Sequence, residues 1–414
     1  MSEPTPTAEP SRSERARAIE GSLCFFLLLA GYYVLRPVRE EMGIQGGVRQ
    51  LQWLYTGTFV AVLAVVPVLS WLVSRLRRRV AVPIIYGLFV ANLLVFAVLV
   101  PQVSAQTKVV LARVIYVWIS VFNMFAISLF WALMADSFDV ASSKRQFGVI
   151  AAGGSAGAIL GPLLTASLAE RLGPIPLLLV AAALLFGATL WVARLGRAAR
   201  DGDEDSIGGR WWEGVARLVR SPQLLAISGY IVLHTSVSTF LYFEQANIVA
   251  AAFDDEGVRT RLFAQMDLGT NVLALALQAL ATAGLIRRFG IGFLLLSVPI
   301  LSLAGFAALT VAPVLAVLVT VQVLRRAFNY ALARPAREIL FTAVDPAERY
   351  KSKLVIDTVV YRGGDLISAW AFAGLSGLGL GLGAIAAVGM RVAAVWGVVA
   401  RMLGKRAPAA RPDA

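Results

Sequence analysis

Arginine residues interrupt several long apolar stretches of the chain, where charged side chains are rare. Arg36 and Arg39 lie one helical turn apart in the first stretch, Arg113 lies in a later one, and Arg362 lies near the end. An arginine at the centre of a bilayer costs about 2.5–3.5 kcal/mol on insertion scales, so it needs a partner or a water-filled cavity. Because a guanidinium fork binds carboxylate or phosphate through paired hydrogen bonds, we expect these arginines to bind a small anionic substrate.

Acidic residues in the other apolar stretches leave a second interpretation open. They are Glu244, Asp267, Asp357 and Asp365. Such residues could take part in ion coupling, or they could pair with arginines inside the membrane. The pairs that the spacing allows are Arg36 or Arg39 with Glu40 or Glu41, and Arg362 with Asp357 or Asp365. For Arg391, in the middle of the last apolar stretch, we expect packing or pairing.

The composition excludes several classes of protein. Hydrophobic residues make up 58% of the 414 residues, charged residues 15%, and the mean hydropathy is +0.74. A soluble chain of this length has too much surface to carry so few charges. The single cysteine, Cys24, and the single histidine, His234, exclude an internal disulfide and the usual metal cages. No P-loop and no nucleophile–base set is visible, so we expect no enzyme activity, no metal and no cofactor.

Apolar runs of about 20 residues recur along the chain, which is the length that spans a bilayer. Because lipid-exposed backbone must be hydrogen-bonded internally and β-barrel alternation does not occur, we predict an all-α integral membrane protein. The predicted spans lie near residues 20–40, 53–74, 81–100, 109–134, 147–169, 174–194, 223–250, 262–286, 291–310, 312–331, 354–376 and 380–401.

The basic residues predict the orientation of these spans. With the N-terminus inside, most of the 38 lysines and arginines fall at the inner face. The inner clusters lie at 75–79, 144–145, 194–220, 287–288, 325–353 and 401–406. The net charge of +13 is then a topology signal and not a sign of nucleic-acid binding. We expect a multi-pass protein of the inner membrane with both termini in the cytoplasm.

The longest polar segment, 195–222, divides the predicted spans six and six. We therefore predict a half from 1 to 194, a cytoplasmic loop from 195 to 222 and a half from 223 to 414. This is the layout of a carrier built from two related halves.

Weak internal similarity supports a duplicated unit. Phe122-Asn123 recurs as Phe328-Asn329, and the same offset of 206 positions pairs three further sites. These are Asp139 with Asp345, Arg145 with Lys351, and Gly157 with Gly363. We expect the two asparagines to lie at equivalent places in the two halves and to contact the substrate.

A glycine stripe runs along the predicted span 147–169. Gly153, Gly157 and Gly161 are spaced by four residues and are followed by Pro162. Such a stripe lets two helix backbones approach closely. We expect these glycines to serve helix packing.

Two resemblances to known families follow from these residues. The basic segments 70–79 and 284–290 resemble a loop pattern of the major facilitator superfamily, with its aspartate replaced by Ser74 and Arg287. Segments 32–41 (YYVLRPVREE) and 334–365 resemble the ATP/ADP antiporter, or nucleotide transporter, family. That resemblance implies a divergent bacterial member in which Arg39 and Arg362 match two lysines important for nucleotide transport.

These observations predict a monomeric secondary transporter of an anionic, phosphorylated or nucleotide-like metabolite, working by alternating access. One alternative is proton-coupled export of a neutral or cationic compound, with Glu244, Asp267 or His234 taking the proton. Another is a membrane scaffold or sensor that transports nothing and whose basic inner face binds lipids or a partner.

Overall fold

The structure, a computed structural model, describes residues 12–76, 78–138, 140–198, 218–341, 352–353 and 355–406. Throughout these residues the chain forms helices joined by short turns, and no strand occurs among them. The all-α prediction is therefore confirmed. Asp139, Asp345 and Lys351 of the proposed repeat lie outside the described residues, as does most of the segment 195–222.

The first half contains six described helices, which follow one another with short connections. They are α1 (Arg12–Gln45), α2 (Leu51–Arg75), α3 (Arg78–Leu99), α4 (Ala105–Ser137), α5 (Val140–Leu172) and α6 (Pro174–Ala198).

The second half follows residues 199–217. Its described helices are α7 (Pro222–Ala252), α8 (Glu256–Leu280), α9 (Thr282–Val311), α10 (Leu315–Phe328), α11 (Arg334–Leu340), α12 (Tyr361–Gly377) and α13 (Leu382–Arg406). Two π-helical segments interrupt this series, Asn329–Ala333 between α10 and α11 and Ile356–Val360 before α12.

Ten helical spans among the described residues are long and apolar enough to cross a membrane by length and composition. The predicted spans that this criterion misses correspond to α8 and α12. The first carries Arg259, Arg261 and Asp267, and the second is 17 residues long and carries Arg362 and Asp365. The charged side chains lower the hydropathy of α8, and α12 is too short to meet the criterion.

One predicted boundary is wrong. The span predicted at 262–286 ends at Leu280, and a new helix begins at Thr282. Ala281 adopts the non-helical conformation that ends α8. Neither proline nor glycine marks this break in the sequence. Helix α9 is kinked at Gly290, where the backbone is not helical (φ 73°, ψ 174°), and its long part begins at the predicted position, 291.

Successive helices alternate in direction, so the connections gather at two ends of the bundle. We call the end that carries residues 46–50, 100–104, 253–255, 312–314 and 378–381 the loop face. The opposite end, where α1 begins and α13 finishes, is the termini face. Within the first half α1 packs on α4, α5 and α6, and within the second α7 packs on α12 and α13. Between the halves, α8 packs on α1 and α5, and α12 packs on α2.

Candidate functional site

A polar cavity of 280 Å³ lies between the two halves. The first half lines it with side chains of α1, α2 and α4, and the second half with side chains of α7, α10, α12 and the π-helical segment before α11. Five arginines and two carboxylates lie on its wall, namely Arg36, Arg39, Arg325, Arg326, Arg362, Glu40 and Asp365. The wall is therefore strongly basic.

Helix α1 holds its arginines in place through close packing on α5. A Cβ atom on Gly153 or Gly157 would lie 2.2 Å from the backbone oxygen of Ser22 or Phe26, so only glycine fits at this crossing. Gly161 packs on the next turn of α1 in the same way. The glycine stripe thus fixes α1 against its own half and places its arginine-bearing face in the cavity.

One carboxylate ties arginines of both halves together. Arg36 of α1 lies 3.5 Å from Oδ1 of Asp267 on α8, measured from Nη1. Arg326 of α10 donates to the same oxygen, and Oδ2 of Asp267 has no hydrogen-bond partner among the described residues. Asp267 stands just behind the cavity wall and offers one negative charge to two guanidinium groups.

Two further arginines pair with neighbours in sequence. Arg39 donates to Oε1 of Glu40 at 2.6 Å, and its guanidinium carbon lies 5.4 Å from the ring centroid of Tyr116. Arg362 lies 3.4 Å from Oδ2 of Asp365, and Oδ1 of Asp365 accepts a long hydrogen bond from Thr239. Of the pairings that the spacing allowed, Glu40 and Asp365 are the partners found here, and each pair is electrically neutral.

Arg325 differs from the other arginines of the wall. It is 5% exposed and donates from Nη1 to Ser238 Oγ at 2.8 Å and from Nη2 to Gln322 Oε1 at 3.1 Å. Gln322 in turn donates to Gln245 at 2.8 Å. No described carboxylate lies within ion-pair distance of Arg325, and its Nε has no hydrogen-bond partner in the described part of the chain. Of the described residues, only neutral groups bind its charge.

Sequence reasoning missed Arg325 and Arg326. It assigned both to the basic cluster at the inner face, whereas α10 carries them into the cavity. The predicted span 312–331 already contained both positions, and this overlap was the signal that could have found them. The assignment to an inner loop is therefore corrected.

The proposed repeat relates the two sides of the cavity. Adding 206 to six of the seven wall residues of α1 and α4 gives wall residues of α7, α10 and the π-helical segment that follows α10. The pairs are Tyr32 with Ser238, Arg36 with Tyr242, Arg39 with Gln245, Tyr116 with Gln322, Ser120 with Arg326, and Asn123 with Asn329. The same helix faces build both sides, although most of the side chains differ.

The remaining sequence candidates lie away from the wall. Arg113 donates through Nε to the backbone oxygen of Gly46 at 2.8 Å, which ties α4 to the turn after α1. Glu244 is 1% exposed and its Oε1 has no partner among the described residues. Asp357 lies in the second π-helical segment. Arg391 is exposed on α13. His234, in contrast, does reach the cavity.

The loop face is closed by contacts between the halves. Arg259 of α8 binds both carboxylate oxygens of Glu41 on α1, at 2.6 and 2.8 Å. Beside this pair, Trp370 of α12 donates to Thr56 Oγ1 at 3.1 Å and packs edge-on against Trp53 of α2. These contacts join the two halves at the loop face.

The two π-helical segments adjoin the site. Asn329 and Tyr330 of the first segment line the cavity, and Tyr361 and Arg362 follow the second directly. A π-helical turn rotates the residues after it relative to a regular helix, and such turns are frequent at functional sites. Among the described residues no group of three or more His, Cys, Asp or Glu side chains could hold a metal ion.

Comparisons with known proteins agree with this architecture. A family model described as the Major Facilitator Superfamily matches residues 21–350. No curated protein gave a significant match to the chain.

Three solved structures of transporters share the fold. A bacterial homolog to the human lysosomal transporter Spinster, inward-facing and unoccupied, is 15% identical with a TM-score of 0.59, and the match covers 96% of each chain. The nucleoside transporter NupG is 11% identical with a TM-score of 0.64, covering 94% of this chain and 98% of that one. The POT family transporter PepTSo is 11% identical with a TM-score of 0.67, covering 96% and 99%. With most of its length matched by the family model, this helical, cavity-forming chain belongs to the Major Facilitator Superfamily.

Proposed function

We propose that this protein is a secondary active transporter that carries a small anionic solute by alternating access. The observation that carries the proposal is the wall of the cavity, where five arginines face two carboxylates. Guanidinium groups grouped around a water-filled cavity bind carboxylate or phosphate oxygens bidentately. The position of the cavity between the halves is where carriers of this architecture bind their substrates.

Arg325 supports an anionic solute most directly. A buried guanidinium group without a carboxylate partner is costly, and an incoming anion relieves that cost. Ser238 and Gln322 hold its side chain toward the cavity through bonds to neutral oxygens. Arg36 and Arg362, predicted from the sequence as substrate residues, lie on the same wall.

The volume of the cavity favours a small solute. At 280 Å³ it lies just below the range of about 300–1,000 Å³ that holds drug-sized ligands. A dicarboxylate or a small phosphorylated metabolite fits this space better than a nucleotide. A nucleotide would require the halves to separate further.

A nucleotide-like solute remains the finer form of the proposal. The resemblance to the ATP/ADP antiporter family rests on Arg39 and Arg362, and both lie on the wall. Aromatic rings that could stack on a base are present there too. They belong to Tyr32, Tyr55, Tyr116, Tyr242, Tyr330 and Tyr361. Exchange of labelled ADP for ATP in proteoliposomes tests this form directly.

We place the protein in the inner membrane with both termini in the cytoplasm. The basic residues gather at the termini face, as cytoplasmic ends do. Because the ties between α1 and α8 close the loop face, the described conformation then opens toward the cytoplasm. Both walls of the cavity come from one chain, which supports a monomer as the working unit.

A thermal-shift series on the purified protein tests the anionic nature of the solute. Phosphate, succinate and AMP are compared with the neutral sugar glucose and the cation choline. We expect at least one anion to raise the Tm, and the variant Arg325→Gln to lose that shift while Arg325→Lys keeps it. Stabilisation by choline or glucose with none by the anions would overturn the proposal.

A second candidate function is proton-coupled export of a neutral or cationic compound. The buried carboxylate of Glu244, with one oxygen lacking a partner among the described residues, favours it. Collapse of the proton gradient in proteoliposomes distinguishes the two. Export would stop under the second function, whereas anion exchange would continue.

A further inference from the structure

Some charges of the cavity form neutral pairs, and at two other places positive charge is in excess. The pairs Arg39–Glu40 and Arg362–Asp365 are neutral. Arg36 and Arg326 share the single charge of Asp267, which leaves one positive charge over. Within the described part of the chain, Arg325 is bonded only to neutral groups and adds a second. Five guanidinium groups therefore face three carboxylates at this site.

We infer, on the basis of the proposed anion transport, that the protein is an obligate exchanger of divalent anions, because its empty cavity carries two uncompensated positive charges. In the described conformation the cavity beside these guanidinium groups has room for water. Passage to the other conformation requires the cavity to close around its contents and lose that water. Closing around two unpaired guanidinium charges is strongly opposed.

A divalent anion removes this barrier. One of its charged groups neutralises Arg325, and the other neutralises the cluster of Arg36, Asp267 and Arg326. The first half supplies Arg36 and the second half supplies the rest, so such a solute joins the two halves. A monovalent anion leaves one charge exposed, and an empty carrier leaves two. The cavity then changes the side to which it opens only when it holds a dianion. Each inward movement of a dianion is therefore coupled to the outward movement of another, which is exchange.

Matched solutes that differ by one charge test this inference in proteoliposomes at neutral pH. The pairs are succinate and monomethyl succinate, methyl phosphate and dimethyl phosphate, and sulfate and methyl sulfate. We expect the dianion of at least one pair to be taken up about tenfold faster when the same dianion is inside than when the vesicles hold only buffer and the neutral osmolyte sucrose. The monovalent partner should show far slower exchange.

Two variants, Arg325→Gln and Asp365→Asn, shift the charge of the cavity by one unit, and Arg325→Lys keeps it unchanged as the control. Arg325→Gln should reverse the preference within the active pair toward the monovalent member, and Arg325→Lys should keep the dianion preference. Asp365→Asn should favour the trivalent tricarballylate over succinate. A Tm measured for each variant shows that it is folded.

Three outcomes would overturn the inference while leaving anion transport intact. They are equal uptake with and without internal dianion, equal exchange of both members of every active pair, and a folded Arg325→Gln variant with unchanged preference. Transport of none of the six anions would also count against it. If in addition no anion in the thermal-shift series raises the Tm, the proposed function itself fails.

Discussion

Arg259 holds both carboxylate oxygens of Glu41, although the two residues lie in opposite halves of the protein. The remaining guanidinium nitrogen of Arg259 donates to the backbone oxygens of Phe253 and Asp254 at the end of α7. Glu41 is fully buried and Arg259 is 8% exposed. Removing one partner of a buried, hydrogen-bonded ion pair costs about 3–5 kcal/mol. This pair is therefore a main tie that keeps the loop face closed.

We predict that Glu41→Gln loosens this closure. The reporter is Thr58→Cys, which places a thiol on the cavity wall; the native Cys24 is buried. A membrane-impermeant maleimide added from the loop face should label the double variant several times faster than Thr58→Cys alone. The control is Glu170→Gln, which breaks an exposed pair with Arg261 and should change little. Equal labelling of all three proteins would contradict a role of Glu41 in closure.

We predict that Gly157→Ala destabilises the packing of α1 on α5. The new Cβ would lie 2.2 Å from the backbone oxygen of Phe26, which cannot move without α1. Overpacking of this kind typically costs about 1–3 kcal/mol. Gly148→Ala on the same helix is the matched control, since no atom lies within 4 Å of the added methyl group. Thermal unfolding in detergent should show a lower Tm for Gly157→Ala only, and equal values would refute the close crossing.

We predict different effects for two arginines that the sequence places in one class. Arg113→Ala removes a hydrogen bond from a charged group to Gly46, which is worth about 1.5–3 kcal/mol, and should lower the Tm. Because Arg113 lies off the wall, its loss should leave the affinity for the transported anion unchanged. Arg36→Ala should weaken that affinity instead. Binding titrations of the anion on both variants test this prediction. A loss of affinity in Arg113→Ala would contradict it and would assign Arg113 to the substrate site.

We predict that Asp267→Asn makes the protein depend on anions for its stability. Without this carboxylate, Arg36 and Arg326 face each other uncompensated. The Tm in buffer without multivalent anions should fall, and added succinate or phosphate should raise it more than in the wild type. Glu338→Gln, which affects a half-exposed pair with Lys353, is the control. A larger anion shift in the control than in Asp267→Asn would contradict this prediction.

Much of the fold followed from the sequence because lipid restricts the backbone to few solutions. Apolar runs of about 20 residues predicted the helices, and the family model confirms the superfamily expected from the two-half layout. The break at Ala281 escaped prediction because no glycine or proline marks it. The charges of α8 also blurred its apolar pattern, and two of them, Arg259 and Asp267, are buried in the bundle.

The candidate site was predictable only in part. Arg36, Arg39 and Arg362 stood out as charges in apolar runs, and the offset of 206 pointed to Asn123 and Asn329; all five lie on the cavity wall. The pairing of Asp267 with arginines from two distant helices could not be read from spacing, because it depends on how the halves meet. Arg325 was overlooked because a basic residue near the end of a span is indistinguishable from a topology signal.

The part of the cavity wall that α1, α4, α7 and α10 supply would be symmetric if its side chains had not diverged. Arg36 corresponds to Tyr242 and Ser120 corresponds to Arg326, while only the two asparagines are the same of the six wall pairs. The paired positions thus still lie on equivalent helix faces, whereas most of their side chains differ. A bound solute consequently has a head and a tail: one end always faces α1 and the other always faces α10. The carrier should for this reason bind a solute with two different ends in one direction only, and not equally well when the ends are reversed.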